Sequence, residues 1–401
     1  MRILLMNLYY PPDTSATAKM AATVAEALSV RHDVTVLCGR PSYDPIGRRP
    51  WRLWQTEVAD RVRIMRVGST AYPRFAMKRR VLNYLSYVAL AIPRALFARS
   101  DVVLAMTDPP FEGIVGAIVA FLKNKPYVYN IRDMYPDMAI GGAIVQPGLL
   151  ARIWEKLHRW ALRRATRVIV LGEDMRARVI AKGVDTAGIE IVRDGTDLLP
   201  PDASHLPFDH AVIRTIRGDS KFVLLHAGNL GFYGAWKSLI TAVRSLEEHG
   251  VGLVFVGEGA QRKQVETLAG GANNIRFLPF FPANTIPSVL AAPDAHVITV
   301  RRGLEGVVVP SKMYGILAAG MPIVAVAPEE TDVASLGAKF GFAVSADPDS
   351  PEKVATAIRS LVLDKAKLQS MGRAALAAAA DYDRVKELHK FVKIIEEAAN
   401  A

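Results

Sequence analysis

Short β-rich runs alternate with longer amphipathic segments from one end of this chain to the other, and few folds accommodate that rhythm. Apolar, β-branched runs cover residues 2–8, 33–37, 102–106, 127–130 and 168–171, and residues 17–28 between the first two carry a helical period. A stretch rich in turn formers, Asp194-Gly-Thr-Asp-Leu-Leu-Pro-Pro-Asp-Ala-Ser-His-Leu-Pro, then breaks the pattern. A second series follows at 222–230, 251–256, 275–278, 295–299, 322–325 and 342–345, and the spacing of Val385, Leu388, Val392 and Ile395 predicts a helix over 382–398. Strands alternating with helices imply an α/β chain built on parallel sheets. The break implies a linker between two such halves, and 401 residues suffice for two cores of ordinary size.

Composition narrows the classes of function. The net charge of +11 favours anionic partners. Cys38 is the only cysteine, so no intrachain disulfide can form and a cytosolic setting is expected. The apolar run at the N-terminus is too short for a signal peptide. Residues 84–93 are broken by Arg94 far short of the roughly 20 residues a spanning helix needs. No Gly-x-Gly opens the first strand, which argues against a dinucleotide-dependent dehydrogenase. Nucleic acid is not expected as a partner, because no stacking motif or reading helix accompanies the charge.

The segment from Arg301 to Val326 carries the most chemistry. It reads as an exposed loop with Glu305, Ser311 and Lys312, a short apolar helix over 313–319 stopped by Gly320 and Pro322, and a buried strand. A loop feeding a helix start, with a lysine beside it, suits an anion; a glutamate at the other end suits hydroxyl groups. The ordinary alternatives are that Lys312 is a solvated surface lysine and Glu305 a loop cap.

Its pattern, Glu-Gly-x-x-x-Pro-Ser-Lys-x-Tyr followed by Leu-Ala-Ala-Gly-x-Pro-Ile-Val-Ala, resembles the donor site of retaining glycosyltransferases of the GT4 type, in their bacterial surface-polysaccharide branch. Ala227-Gly-Asn-Leu-Gly resembles the loop facing the donor diphosphate, and Val256-Gly-Glu-Gly-Ala the loop beside the nucleotide. Thr107-Asp-Pro-Pro and Arg132-Asp-Met-Tyr-Pro-Asp137 resemble cleft-lining loops of the first half. The resemblance implies a GT-B fold, two Rossmann-like parallel-sheet domains facing a central cleft. Residues 1–198 would bind the acceptor, 199–380 the nucleotide sugar, and the helix within 381–401 would return to the first domain. It implies Asp133, Glu305 and Lys312 as catalytic residues. Gly228, Asn229, Lys237, Gly257, Glu258, Gly306, Val307, Val308, Ser311 and Tyr314 would contact the donor.

The chain departs from the family at three places. Ser15 and Ala16 stand where many members have paired glycines; Lys237 falls a few residues later than the usual Lys-Gly; and Gly315 replaces the second glutamate, the usual ribose contact. No metal-ligand constellation is visible, so diphosphate charge would fall to backbone N–H groups and lysines, without a cofactor. The donor would be a UDP- or GDP-linked sugar and the acceptor a glycan or a lipid-linked glycan. Transfer to a small metabolite and a sugar-nucleotide binder without turnover are the alternatives. Asp133 could instead be a turn carboxylate paired with Arg132, and Lys237, beside Trp236, a structural residue.

The basic excess has a local focus in the first half. Arg152, Lys156, Arg159 and Arg163 recur at helical spacing beside Ile153, Trp154, Leu157 and Trp160; Lys78, Arg79 and Arg80 precede an apolar stripe of Leu82, Leu85, Ala89, Ile92 and Leu96. Such faces suit an anionic membrane surface on the cytoplasmic side. The ordinary alternative is that the apolar stripes are core and the cations solvated.

Overall fold

The computed structural model describes residues 1–42, 51–72, 77–197 and 208–400, without the side chains of Met77 and Lys78. Two compact units divide the chain. One comprises Met1–Ile140, Val145–Val192 and Leu388–Ala401, the other Gly141–Ile144 and Arg193–Glu387. The division thus falls before the turn-rich stretch, of which residues 198–207 lie outside the described residues.

The sheet of the first unit contains β1 (Arg2–Met6), β2 (Asp33–Cys38), β3 (Trp54–Ala59), β4 (Val62–Val67), β5 (Val102–Ala105), β6 (Tyr127–Asn130), β7 (Arg167–Val170) and β8 (Ile189–Ile191), in the order β3-β4-β2-β1-β5-β6-β7-β8. Every pairing is parallel except β3 with β4. That hairpin has no counterpart in the sequence reading. Its turn places Asp60 and Arg61 at φ 48° and 69°, the mirror-image geometry glycine or asparagine usually announces. Ser15, one of the departures noted above, caps the helix Ala16–Ser29 by accepting from the Ala18 amide at 3.1 Å. That helix buries Ala18, Ala21, Val24, Ala25 and Leu28, one stripe at helical spacing, on the sheet.

The helix Arg384–Ala399 closes the same core. Phe391, Val392, Ile394, Ile395 and Ala398 pack with Ile3, Leu5 and Val36. Glu396 lies 3.0 Å from His32 and 3.2 Å from Arg31, and Lys390 donates to the Ile191 carbonyl at 2.5 Å. Val385, at the start of the predicted periodicity, is exposed.

The second unit holds β9 (Phe222–Ala227), β10 (Val251–Val256), β11 (Ile275–Leu278), β12 (Ala295–Thr299), β13 (Ile323–Val326) and β14 (Ala343–Ala346), ordered β11-β10-β9-β12-β13-β14 with every pairing parallel. Alternate residues serve its two faces. Leu224, Leu253 and Phe255 join one apolar cluster, Val223, Leu225 and Val254 the other.

One buried acid in the first unit makes stability depend on pH. Glu112, fully buried at the start of the helix Glu112–Lys123, accepts from the Tyr87 hydroxyl at 3.0 Å, and its other carboxylate oxygen has no partner. Burial lifts its pKa well above the usual range, and the nearby Asp108 adds to the rise. The folded state therefore keeps a proton that the unfolded chain releases above about pH 4.5. Stability is full below that value and is lost as pH climbs toward the raised pKa, at up to about 1.4 kcal/mol per pH unit. Glu112→Gln keeps the acceptor for Tyr87 and removes the titration. In urea unfolding at pH 5 and pH 8, the stability of the variant relative to wild type should rise with pH; a constant difference would refute a protonated Glu112.

Candidate active site

In parallel sheets ligands gather at the carboxyl ends of the strands, where backbone amides and loops converge. In the second unit two of those ends are glycine. β9 runs into Gly228 at φ 134° and β10 into Gly257 at φ 141°. A Cβ on Gly257 would stand 2.1 Å from the Gly228 carbonyl oxygen, and one on Gly259 would stand 2.5 Å from the Leu230 nitrogen. Only glycine permits this approach, which hydrogen bonds secure: the Gly228 amide donates to Val256 O (2.9 Å), Leu230 N to Glu258 O (2.9 Å) and Gln261 N to Leu230 O (2.9 Å). A Cβ on Gly228, in contrast, would meet nothing within 4 Å, so this backbone faces open space.

Beyond β12 the chain forms the loop 300–311. Leu304 and Val307 are buried in it and hold it down, and the Arg301 amide donates to Tyr233 O at 2.8 Å. Gly306 takes φ 65°. Half-buried Glu305 accepts from the Gly303 amide at 2.8 Å. The helix that follows is Lys312–Ala318, starting one residue earlier than the sequence implies. It has no side-chain cap from the exposed Ser311, and Gly320 (φ 67°) lies just beyond its end.

Lys312 turns from the start of this helix toward β9. Its Nζ lies 2.9 Å from Nδ1 and 3.3 Å from Nε2 of His226, two residues before the Gly228 bend. The lysine is half-buried and its histidine neighbour fully so. Burial lowers the Lys312 pKa to about 7. Burial first, and then the lysine's own charge, pushes His226 well below its ordinary value, so the imidazole is neutral. An amine that titrates near neutrality beside an open glycine backbone is equipped to receive an anion.

The remaining predicted residues distribute unevenly. Asn229 and Glu258 are exposed on the two glycine loops, Glu258 3.5 Å from Arg262. Val307 is fully buried and Val308 half-buried. Tyr314, predicted to touch the donor, lies instead in the interior: it is 1% exposed, its ring packs on Tyr382 at 5.2 Å and its hydroxyl has no hydrogen-bond partner. Five of the seven residues of this helix, Met313, Tyr314, Ile316, Leu317 and Ala318, are buried, and Tyr314 falls on that face. Lys237 is exposed on the helix Trp236–Arg244, while its neighbour Trp236 is buried and donates to Gly231 O at 2.9 Å. At Gly315 a Cβ would meet only Leu290, at 3.7 Å, an ordinary van der Waals contact.

In the first unit the ends of β5 and β6 bring Asp108 and Asp133 into one neighbourhood. Asp108 contacts the Thr17 hydroxyl, and burial raises its pKa against the pull of Arg80 and Arg132. Asp133 follows β6, and its charge acts on Tyr129 and Tyr135. Arg80, read as part of a basic run suited to an anionic membrane surface, points inward: it donates to the Tyr9 hydroxyl at 3.3 Å and covers the Tyr84 ring at 5.6 Å. The sequence reading placed Asp108 in a cleft-lining loop without giving it a role, and missed His226. A lone histidine within Phe222-Val-Leu-Leu-His-Ala, directly before a glycine, was the available signal for the latter. Among the described residues no three His, Cys, Asp or Glu side chains converge as a metal site, and no helix is long and apolar enough to cross a membrane.

Comparison with known proteins agrees with this architecture. Residues 15–195 match the family described as glycosyl transferase 4-like domain, and residues 213–377 match glycosyl transferases group 1. The chain belongs to the glycosyltransferases, with a GT4-like first half and a group 1 second half. Among its relatives, WcaI of Escherichia coli K12, named as a colanic acid biosynthesis glycosyl transferase, is 24% identical over 90% of this chain and 92% of its own length. WbjE of Pseudomonas aeruginosa, named as a glycosyltransferase, is 24% identical over 74% of each chain. The crystal structure of Alr3699/HepE of Anabaena in complex with UDP-glucose superposes with a TM-score of 0.69 over 99% of this chain and 100% of that one, at 18% identity. The fold is thereby GT-B.

Proposed function

We propose that this glycosyltransferase takes its sugar from a UDP- or GDP-linked donor held on the second unit. It would pass the sugar, with retention of anomeric configuration, to a glycan or lipid-linked acceptor in bacterial polysaccharide assembly. The observation that carries the reading is Lys312, an amine held 2.9 Å from His226 beside the open backbone of Gly228. There it can neutralise the charge that grows on the departing diphosphate. Glu305 would contact sugar hydroxyls, and Asp133 and Asp108 the acceptor. HepE, whose structure holds UDP-glucose, and WcaI, named for colanic acid biosynthesis, supply precedents for donor and pathway. A panel of UDP- and GDP-sugars, screened by thermal shift and by slow hydrolysis, tests the proposal. We expect at least one donor to stabilise the protein and to turn over with EDTA present. Turnover lost on chelation and restored by magnesium or manganese would overturn the metal-independent reading. Stabilisation without turnover against any acceptor would favour a binder.

The second element of the proposal is docking of the first unit on an anionic lipid surface. Trp154, expected on the exposed face, packs instead on Phe111 (4.7 Å) and Tyr135 (6.0 Å). The stripe is nonetheless present: Leu149, Leu150, Ile153, Leu157 and Trp160 are exposed along the helix Leu149–Arg164. Arg152, Lys156, Arg159 and Arg163 run beside them and line a shallow groove of about 450 Å³. On the helix Met77–Phe97 the stripe of Leu82, Leu85 and Leu96 faces solvent, continued by Phe97 at 84% exposure. Apolar side chains beside exposed cations fit a headgroup layer. Arg159 already pairs with Glu155 at 2.6 Å, so Arg152, Lys156 and Arg163 are the residues to reverse. The triple glutamate variant should lose sedimentation with phosphatidylserine-containing vesicles at low salt while unfolding at the wild-type temperature. Wild type that stays in the supernatant would end the proposal.

A further inference from the structure

We infer that Arg301 is the second cation of the donor site and receives the diphosphate together with Lys312. The inference deepens the proposal that the second unit holds a nucleotide sugar, and rests on it. Its starting point is a charge without a counter-ion. Arg301 is half-buried, and its Nε is closed off from solvent without a partner. Among the described residues none accepts a hydrogen bond from its guanidinium or pairs with its charge. Arg302, the next residue, is exposed and has Asp347 at 2.8 Å and Asp349 at 2.6 Å. A guanidinium taken partly out of water with no anion beside it costs stability, and a bound anion would remove that cost.

The backbone around Arg301 ties it to the glycine loops. β12 lies next to β9, and its pairing with β13 continues to Val300, whose amide donates to Val326 O at 3.0 Å. Val297, Thr299 and Arg301 therefore alternate along one side of this strand. Val297 belongs to the core cluster of Trp236 and Phe255, the rings that pack on His226, so this is the side on which Lys312 meets β9. Thr299 accepts from the Ala235 amide at 2.8 Å, the Arg301 amide donates to Tyr233 O at 2.8 Å, and the Tyr233 hydroxyl donates to Asn229 O at 2.6 Å. These bonds hold Arg301 against the loop that begins at the open backbone of Gly228. Gly141, in the short segment Gly141–Ile144 of this unit, also borders it: a Cβ there would stand 3.9 Å from Nη2 of Arg301. What the guanidinium faces there is glycine, not a carboxylate.

The chemistry of the donor calls for such a group. A diphosphate presents more charge than one ammonium offsets, and burial leaves Lys312 only partly protonated near neutrality. Arginine keeps its charge across the working range and can bond two phosphate oxygens at once. Lys237, the other cation expected at the donor, is exposed on its helix.

The test uses the full chain and measures binding of UDP, GDP and their monophosphates by calorimetry. It compares wild type with Arg301→Ala, Arg301→Lys and, as a control, Arg302→Ala. Whichever diphosphate wild type binds should bind Arg301→Ala at least about tenfold more weakly, the loss of one charge-assisted contact. The monophosphate, which lacks the outer phosphate, should lose much less. Arg301→Lys, which restores the charge without the planar fork, should recover part of the loss, and Arg302→Ala should bind as wild type does. Because the guanidinium has no partner to lose, unliganded Arg301→Ala should unfold at or above the wild-type temperature. An unchanged diphosphate affinity in Arg301→Ala would overturn the inference and leave the donor reading standing. Equal losses for mono- and diphosphate would do the same, marking the arginine as a support of the loop rather than a phosphate contact. Wild type that binds neither diphosphate would overturn both.

Discussion

Lys312→Ala is expected to lower turnover by roughly thirty- to thousand-fold while altering donor affinity much less. The range corresponds to about 2–4 kcal/mol of lost charge-assisted stabilisation, by analogy with lost oxyanion donors. The asymmetry follows from where charge develops. The diphosphate is anionic in the bound donor, but it gains charge as the sugar–phosphate bond breaks, and an ammonium aimed at it acts most on that later state. The same residue should leave a mark on the pH profile. With the free-protein pKa lowered to about 7 by burial, kcat/KM should fall above neutrality as the ammonium is lost. The limb should vanish in Lys312→Ala. Steady-state kinetics between pH 6 and 9 on both proteins check this; a variant with near-normal turnover, or a limb that persists in it, would take the lysine out of the mechanism.

Gly257→Ala should be equally damaging for a different reason. The residue holds φ 141°, a conformation that costs other residues on the order of 1–3 kcal/mol, and its new methyl group would stand 2.1 Å from the Gly228 carbonyl. One of the two glycine loops must move, and the amides at the end of β9 move with it. We expect a lowered thermal midpoint together with at least about tenfold weaker UDP binding by calorimetry. Gly271→Ala is the control. It too has positive φ (72°), but nothing lies within 4 Å of the added methyl, so it should lose a little stability and no affinity. Equal affinity losses in the two variants would show that the Gly257 contact is unimportant.

What could be read in the sequence was whatever repeats or punctuates. The parallel strands announced themselves because strands buried on both faces are continuous apolar runs, and β10, β11 and β12 begin and end where those runs do. The glycine loops and the Lys312 segment were legible because their residue types are unusual for a surface. The β3–β4 hairpin was not, since its turn uses Asp60 and Arg61 where sequence signals depend on glycine. Side-chain direction was also hidden. Tyr314 and Arg80 point inward, and the stripe of Leu82, Leu85 and Leu96 points outward, because packing partners distant in sequence decide which face of a helix is covered. The His226–Lys312 contact joins residues 86 positions apart and left no periodic trace.

The helix Arg384–Ala399 also bears on the order in which the chain can fold. Ile395 and Ala398 complete a core begun by Ile3 and Leu5. That core therefore cannot close until synthesis has passed through the whole of the other unit. The second unit's sheet draws its strands from one uninterrupted stretch and can be finished earlier. During synthesis the usual N-to-C order of domain completion is therefore expected to be inverted. Contacts of such high sequence separation form slowly in general, so closure of the first unit's core is expected to follow completion of the second unit's sheet.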